Sequence, residues 1–286
     1  MKTNVVKLGI CQMGVTADKA LNISKAKAMI AAAAAANCQV AILPEMFNCP
    51  YQTELFSQYA ESYPQGETLK MLAKTAAESK IVVVGGSVPE HDEYNNVYNT
   101  SFIFDKNGSL LGRHRKMHLF DVEIKGGTVF KESSTLSAGQ EMTVVQTTGL
   151  KLGVAICYDI RFPELSRLMT LAGAGLLIFP AAFGWTTGPA HWELLMRSRA
   201  VDNQVFVVGA APATTPGAQY QAYGHSIIVD PWGNVLAMAG SEETMLTVEL
   251  DMNKMETVRA ELPLLKQRRP DVYEKYHKED LIQMEF

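Results

Sequence analysis

The chain has 286 residues, of which 47% are hydrophobic and 20% charged, with a formal net charge of −4 at pH 7. That balance is ordinary for a soluble globular protein and supplies no basic surface for a polyanion, so nucleic acid is not expected as a partner. No stretch reaches the roughly 18 apolar residues of a membrane span, so no membrane partner is expected either; the alanine-rich run 28–36 is too short and reads as a buried or half-buried helix.

Residues 5–13 read as a strand, and 20–37 as a helix with Leu21, Ile23, Ala26, Met29, Ile30 and Ala33 near helical spacing. Val40-Ala41-Ile42-Leu43 is a fully apolar strand closed by Pro44. Residues 66–79 form a second helix and 81–84 a third strand, ended by Gly85-Gly86. This β-α-β-α-β order implies covered, largely buried strands. Strands at 99–105 and 110–116 are joined by Asp105-Lys106-Asn107-Gly108, a hairpin signal. Residues 143–147 and 150–156 make a second pair turning at Thr148-Gly149. A helix at 162–173 leads to a strand at 176–179, and a helix at 191–202 to a strand at 205–209. Strands follow at 224–229, 235–238 and 245–250, then a helix at 252–261. Mixed strands with helices in pairs predict an α/β fold of two sheets face to face with helices outside, an α-β-β-α sandwich. No linker, charge run or repeat breaks the chain, so 1–286 reads as one domain, with 263–286 as a C-terminal arm.

The cysteines Cys11, Cys38, Cys49 and Cys157 show neither C-x-x-C nor zinc spacing. With no signal-peptide pattern at the start, they are expected to be free thiols in a reducing, cytoplasmic compartment. Gly85-Gly86 and Gly126-Gly127 match no phosphate or dinucleotide fingerprint, and no Ser-His-Asp arrangement stands out.

Three residues sit where strands end. Cys157 follows Leu152-Gly153-Val154-Ala155-Ile156 and precedes a helix start, where the dipole and orphan N–H groups are expected to give the thiol thiolate character. A buried structural cysteine is the competing reading. Glu45 follows Ile42-Leu43-Pro44; desolvation there raises a carboxylate toward the range of a general base, and a plain helix-start charge is the alternative. Lys116 ends Arg113-His114-Arg115-Lys116; alternation puts Arg113, Arg115 and Met117 on one face and sends Lys116 and His118 in different directions. A lysine here can hold charge developing on a substrate oxygen. The rivals are a solvated basic strand end and a metal site from His114, His118, Asp121 and Glu123. Arg161 is close enough to Cys157 in sequence to receive a carboxylate bidentately, but reads first as a structural ion-pair partner of Glu164.

Leu43-Pro44-Glu45, Arg113-His114-Arg115-Lys116 with His118-Leu119-Phe120, and Ala155-Ile156-Cys157-Tyr158-Asp159 with Arg161-Phe162-Pro163-Glu164 together resemble the nitrilase superfamily of carbon–nitrogen hydrolases. Phe130-Lys131-Glu132-Ser133 and Thr186-Thr187-Gly188-Pro189-Ala190-His191-Trp192-Glu193 resemble its omega-amidase branch. The resemblance implies an α-β-β-α sandwich, usually dimerised, so a homodimer or higher homo-oligomer is expected. It implies Glu45 as general base, Lys116 as oxyanion holder and Cys157 as nucleophile, with no metal and no cofactor. It also implies a small amide substrate bearing a carboxylate, 2-oxoglutaramate or 2-oxosuccinamate. Deaminated glutathione and carbamoyl amines are the alternatives within the superfamily. Glu132 matches a second glutamate near the lysine, with an exposed loop position as its alternative. Tyr158, Phe183, Trp185, Thr187 and His191 are the candidate substrate-binding residues. A catalytically idle binding module on the same fold is the remaining rival, opposed by the intact Glu45, Lys116 and Cys157.

Overall fold

A computed structural model describes residues 4–125, 129–147 and 149–276. Continuous apolar runs give the central strands two buried faces, and successive side chains pointing to opposite faces set the layers. The first sheet has seven strands. Thr244–Asp251 runs antiparallel to Val5–Gln12, which is followed in parallel by Val40–Ile42 and Val82–Val84. Val97–Phe104 then pairs with three strands: Val82–Val84, Val88–His91 and Leu110–Arg115. The second sheet has six strands, in the order Val235–Met238, Ile227–Val229, Phe206–Ala210, Leu176–Pro180, Lys151–Val154, Thr143–Gln146. Its middle three are parallel.

Leu8, Ile10, Val40 and Ile42 of the first sheet meet Leu152, Val154, Leu176, Ile178, Phe206 and Val208 of the second. The alternate residues face outward. Cys11, Ala41, Leu43 and Val83 pack on the helices Lys19–Ala35 and Glu67–Ser79 through Ala26, Ile30, Leu69 and Leu72. Leu177, Phe179 and Val207 pack on Pro163–Leu171 and Gly188–Asn203 through Leu165, Met169, Trp192 and Met196. Three apolar layers between four structural layers make the expected α-β-β-α sandwich. The last helix approaches closely because Gly209 has no side chain: a Cβ there would lie 2.4 Å from Trp192 Cζ2.

Differences from the expected elements follow from turn chemistry. The helix expected from 191 begins at Gly188, because Pro189 fits a first helical turn. The strand expected from 224 is only Ile227–Val229, since His225 takes a left-handed φ of 58° that no strand accommodates. The strand expected to reach 156 stops at Val154. The ribbon Asp121–Glu123 with Val129–Lys131 was not expected, being three residues per strand. Gly126-Gly127, Thr148 of the expected turn, and 277–286 of the expected arm lie outside the described residues. The described part of that arm carries a short helix, Pro270–Tyr273. Among the described residues no helix is long and apolar enough to cross a membrane.

Candidate active site

Glu45 leaves the first sheet just beyond Val40–Ile42, where the chain turns sharply at Met46, φ 49°. Gly86 and Ser87 brace that turn. Ser87 N–H donates to Pro44 O, and Ser87 Oγ accepts from Met46 N–H. A Cβ on Gly86 would lie 2.0 Å from Pro44 O, so only glycine allows the two segments to lie together. Lys116 follows Leu110–Arg115, tied by its N–H to Asn99 O at 2.8 Å. Alternation holds along that strand. Arg113 and Arg115 turn to the buried Glu90, while His114 and Lys116 are fully buried. Cys157 leaves the second sheet beyond Lys151–Val154 and opens the 3-10 turn Cys157–Arg161 with a left-handed φ of 46°. Such strain in a non-glycine residue survives only where the surroundings over-determine it.

The two sheets thus deliver three side chains to one point. Glu45 Oε1 accepts from Lys116 Nζ at 3.0 Å and Asn99 Nδ2 at 2.8 Å, and lies 3.4 Å from Tyr51 OH. Its Oε2 accepts from Ala182 N–H at 2.7 Å. The Cys157 thiol is near enough to this carboxylate for each to act on the other's charge. Lys116 Nζ donates to Glu132 Oε1 at 2.9 Å, which also accepts from Tyr51 OH at 2.7 Å. Glu132 Oε2 accepts from Phe120 N–H at 2.7 Å. Glu132 is fully buried, so the exposed-loop reading falls.

Burial raises the Glu45 carboxyl above its ordinary value; Lys116 opposes the rise and Glu132 adds to it. Burial works against the Lys116 ammonium, but Glu132 and Glu45 outweigh it and hold the charge. The Cys157 thiol is pushed well above its ordinary value, by burial first and then by the Glu45 carboxylate. The expected thiolate character is therefore corrected. The turn that follows Cys157 is a short 3-10 helix, and its field does not offset a dry site beside a carboxylate. The arrangement is a protonated thiol beside a carboxylate, with a fixed ammonium alongside, which is the constellation that nucleophilic catalysis requires.

Asp159 locks the two sheets at this point. Its Oδ2 meets His114 Nε2 at 2.9 Å and accepts from Ile156 N–H at 2.9 Å. Its Oδ1 meets His118 Nδ1 at 2.7 Å and accepts from His118 N–H at 2.9 Å. The two histidines flank Lys116, and Asp159 stands two residues past Cys157. The metal reading of these histidines is corrected: both rings are spent on one carboxylate, while Asp121 accepts from Ser133 N–H. Among the described residues no three His, Cys, Asp or Glu side chains are grouped to hold a metal ion.

The space at Cys157 is lined by Phe120, Tyr158, Arg161, Phe183, Thr187 and Tyr220, among others. Of the candidate binding residues, Tyr158, Phe183 and Thr187 are there. Trp185 stands farther out, about half exposed and edge-on to Tyr223, lining a wider mouth. His191 lies behind the site, its Nδ1 3.2 Å from Arg161 Nη1. The pairing of Arg161 with Glu164 is also corrected. Arg161 closes the 3-10 turn and lies 5.0 Å over the Phe183 ring, whereas Glu164 is exposed on the next helix. Tyr51, Asn99, Phe120 and Tyr220 were missed. Each is an unremarkable loop or strand residue until the fold brings it in.

Residues 7–260 match the family described as Carbon-nitrogen hydrolase. The chain is 47% identical to mouse Omega-amidase NIT2 over 267 residues, 93% of this chain and 96% of that protein. It is 44% identical to the human Omega-amidase NIT2 over the same span and shares. Among solved structures, Saccharomyces cerevisiae Nit3, a member of branch 10 of the nitrilase superfamily, superposes with a TM-score of 0.86 at 43% identity, covering 93% of this chain and 97% of that one.

The Asp159 lock carries a stability prediction. Its partners hold the Asp159 carboxyl far below the ordinary 3.8, against the opposing effect of burial. A depressed carboxyl stabilises the fold above its unfolded value and loses that contribution as pH falls. Asp159→Ala should cost about 3–5 kcal/mol near neutral pH. In urea unfolding, the gap from wild type should shrink below pH 3.8. A gap that is small at neutral pH would refute the lock.

Proposed function

The chain belongs to the carbon–nitrogen hydrolase family, and we propose that it is an omega-amidase, converting the terminal amide of a 2-oxo acid such as 2-oxoglutaramate or 2-oxosuccinamate to the 2-oxo dicarboxylate and ammonia. The observation that carries the reading is the convergence of three buried side chains: Lys116 Nζ lies 3.0 Å from the Glu45 carboxylate, and the Cys157 thiol sits within the influence of both. The similarity to omega-amidases, spread over 93% of the chain, supports the substrate class.

In this mechanism Glu45 takes the Cys157 proton as sulfur attacks the amide carbon. The carbonyl oxygen becomes an oxyanion, received by Lys116 and by backbone N–H at Tyr158. Glu45 passes the proton to the amide nitrogen, the C–N bond breaks, and ammonia leaves a thioester on Cys157. Glu45 then takes a proton from water as its oxygen attacks the thioester carbon. The C–S bond breaks, the sulfur regains a proton, and the carboxylate product departs. One group acts as base and then acid, which suits a carboxyl raised toward the working pH.

The substrate carboxylate is assigned to Arg161. Among the described residues lining the space at Cys157 it is the only cation, and Phe183 beneath it and His191 behind it hold its plane. Phe120 and Phe183 supply apolar walls for the carbon chain. The buried free cysteines support a reducing cytoplasmic setting. Exposed Leu168, Leu171, Leu194 and Val201 on the outer helices support pairing with a second copy.

Cys157→Ala should abolish ammonia release from 2-oxoglutaramate while the unfolding midpoint stays near that of wild type. Release that persists in the variant would refute the mechanism. Wild-type activity confined to deaminated glutathione, or carbon dioxide release from carbamoyl amines, would keep the chemistry and change the substrate. Arg161→Gln should raise KM for the 2-oxo acid amide about tenfold, the worth of one charged hydrogen bond, and leave hydrolysis of a neutral amide nearly intact. Equal losses on both substrates would reduce Arg161 to a structural part.

A further inference from the structure

We propose that a second cavity, separated from the substrate mouth by Tyr51 and Tyr220, is the route by which the hydrolytic water reaches Glu45. The proposal rests on the amidase reading above and adds a site to it. The mouth, lined by Phe130, Lys131 and Trp185, has a volume of about 580 Å³. The second cavity is about 460 Å³ and is lined at its buried end by Glu45 and Ala182. The two share Tyr51 and Tyr220, whose rings lie 4.7 Å apart and form the partition. Both rings are pinned. Tyr51 OH donates to Glu132 at 2.7 Å, and Tyr220 OH donates to Ala182 O.

The space at Cys157 itself is only about 10 Å³, room for about one water molecule. An acyl chain on sulfur displaces that water and extends past Gly184 and Tyr220, which line both spaces, so it occupies the way to the mouth. The hydrolytic water must nevertheless arrive at Glu45. The second cavity opens on that residue from another side, where Ala182 N–H fixes Glu45 Oε2 at 2.7 Å.

The lining decides what can use it. Glu45 is its only charged side chain among the described residues; the rest is largely alanine, proline, threonine and glycine. A dicarboxylate finds no cation there and meets a carboxylate at the end, so its entry is disfavoured. Water is small and uncharged. Anionic substrate and water are thereby sorted between two openings.

Ala218 lines the second cavity, is half-buried, and belongs to no hydrogen bond of the catalytic cluster. Ala218→Trp fills the cavity, and Ala218→Leu does so with less risk to the fold. Both are assayed on an amide that wild type is first shown to hydrolyse. Failure of the amidase reading then appears in wild type, and failure of the route only in the variants. With the passage narrowed, kcat should fall, about tenfold for tryptophan and less for leucine, and kcat/KM should change much less. Acid-quenched samples should show the acyl group accumulating as added mass on Cys157, because water is late. Equal losses in kcat and kcat/KM without accumulation would make this cavity the substrate's own entrance. Unchanged kinetics in both folded variants would make it a packing void. Either result overturns the proposal.

Discussion

One ammonium between two carboxylates organises this site. Lys116 reaches Glu45 at 3.0 Å and Glu132 at 2.9 Å, and none of the three side chains is open to solvent. Removing such charges from water is expensive, and the expense is offset only when every lone pair and proton finds a partner. The partners come from all over the fold. Asn99 lies on a strand beside Lys116, Tyr51 on the loop after Glu45, Phe120 on the segment after Lys116, and Ala182 beyond a strand of the other sheet. The cluster therefore exists only when the two sheets are packed in register. Asp159 enforces that register by joining the residues on either side of Lys116 to the turn of Cys157.

The same burial explains the chemistry. A dry thiol beside a carboxylate keeps its proton, and a dry carboxyl beside another carboxylate binds protons more readily than in water. The resting site is thus a thiol beside a carboxylate, and in the proposed mechanism the charge created on attack is met by an ammonium already in place. A group that need not reorganise during the reaction lowers the barrier most. The left-handed turn at Cys157 belongs to this economy: it points the thiol at Glu45, and the packed surroundings hold it there.

Much of this was legible in the chain. Short continuous apolar runs mark the central strands, and Leu43-Pro44-Glu45, Lys116 and Ala155-Ile156-Cys157 place each key residue just past a strand end. The layered architecture follows from pairing these strands with amphipathic helices. What stayed hidden depends on long-range packing. Glu132 sits in a polar stretch and is buried only because Lys116 and Tyr51 close over it. His114 and His118 look like metal ligands at their spacing, yet both find Asp159, more than forty residues on in sequence. Arg161 has a nearer acidic neighbour in Glu164, but the 3-10 turn aims it at the Cys157 pocket. The thiol's protonation is hidden for a related reason. Proximity to a helix start is readable locally, whereas the depth of burial is not.

Whether Cys157 rests as a thiol, with Glu45 removing its proton only during attack, is read from the ultraviolet thiolate absorbance of wild type minus that of Cys157→Ala, followed from mildly acidic to mildly alkaline pH. No Cys157 thiolate signal is expected at neutral pH, since burial and Glu45 hold the thiol well above its ordinary 9.0. A thiolate signal already present at neutral pH would contradict the resting thiol.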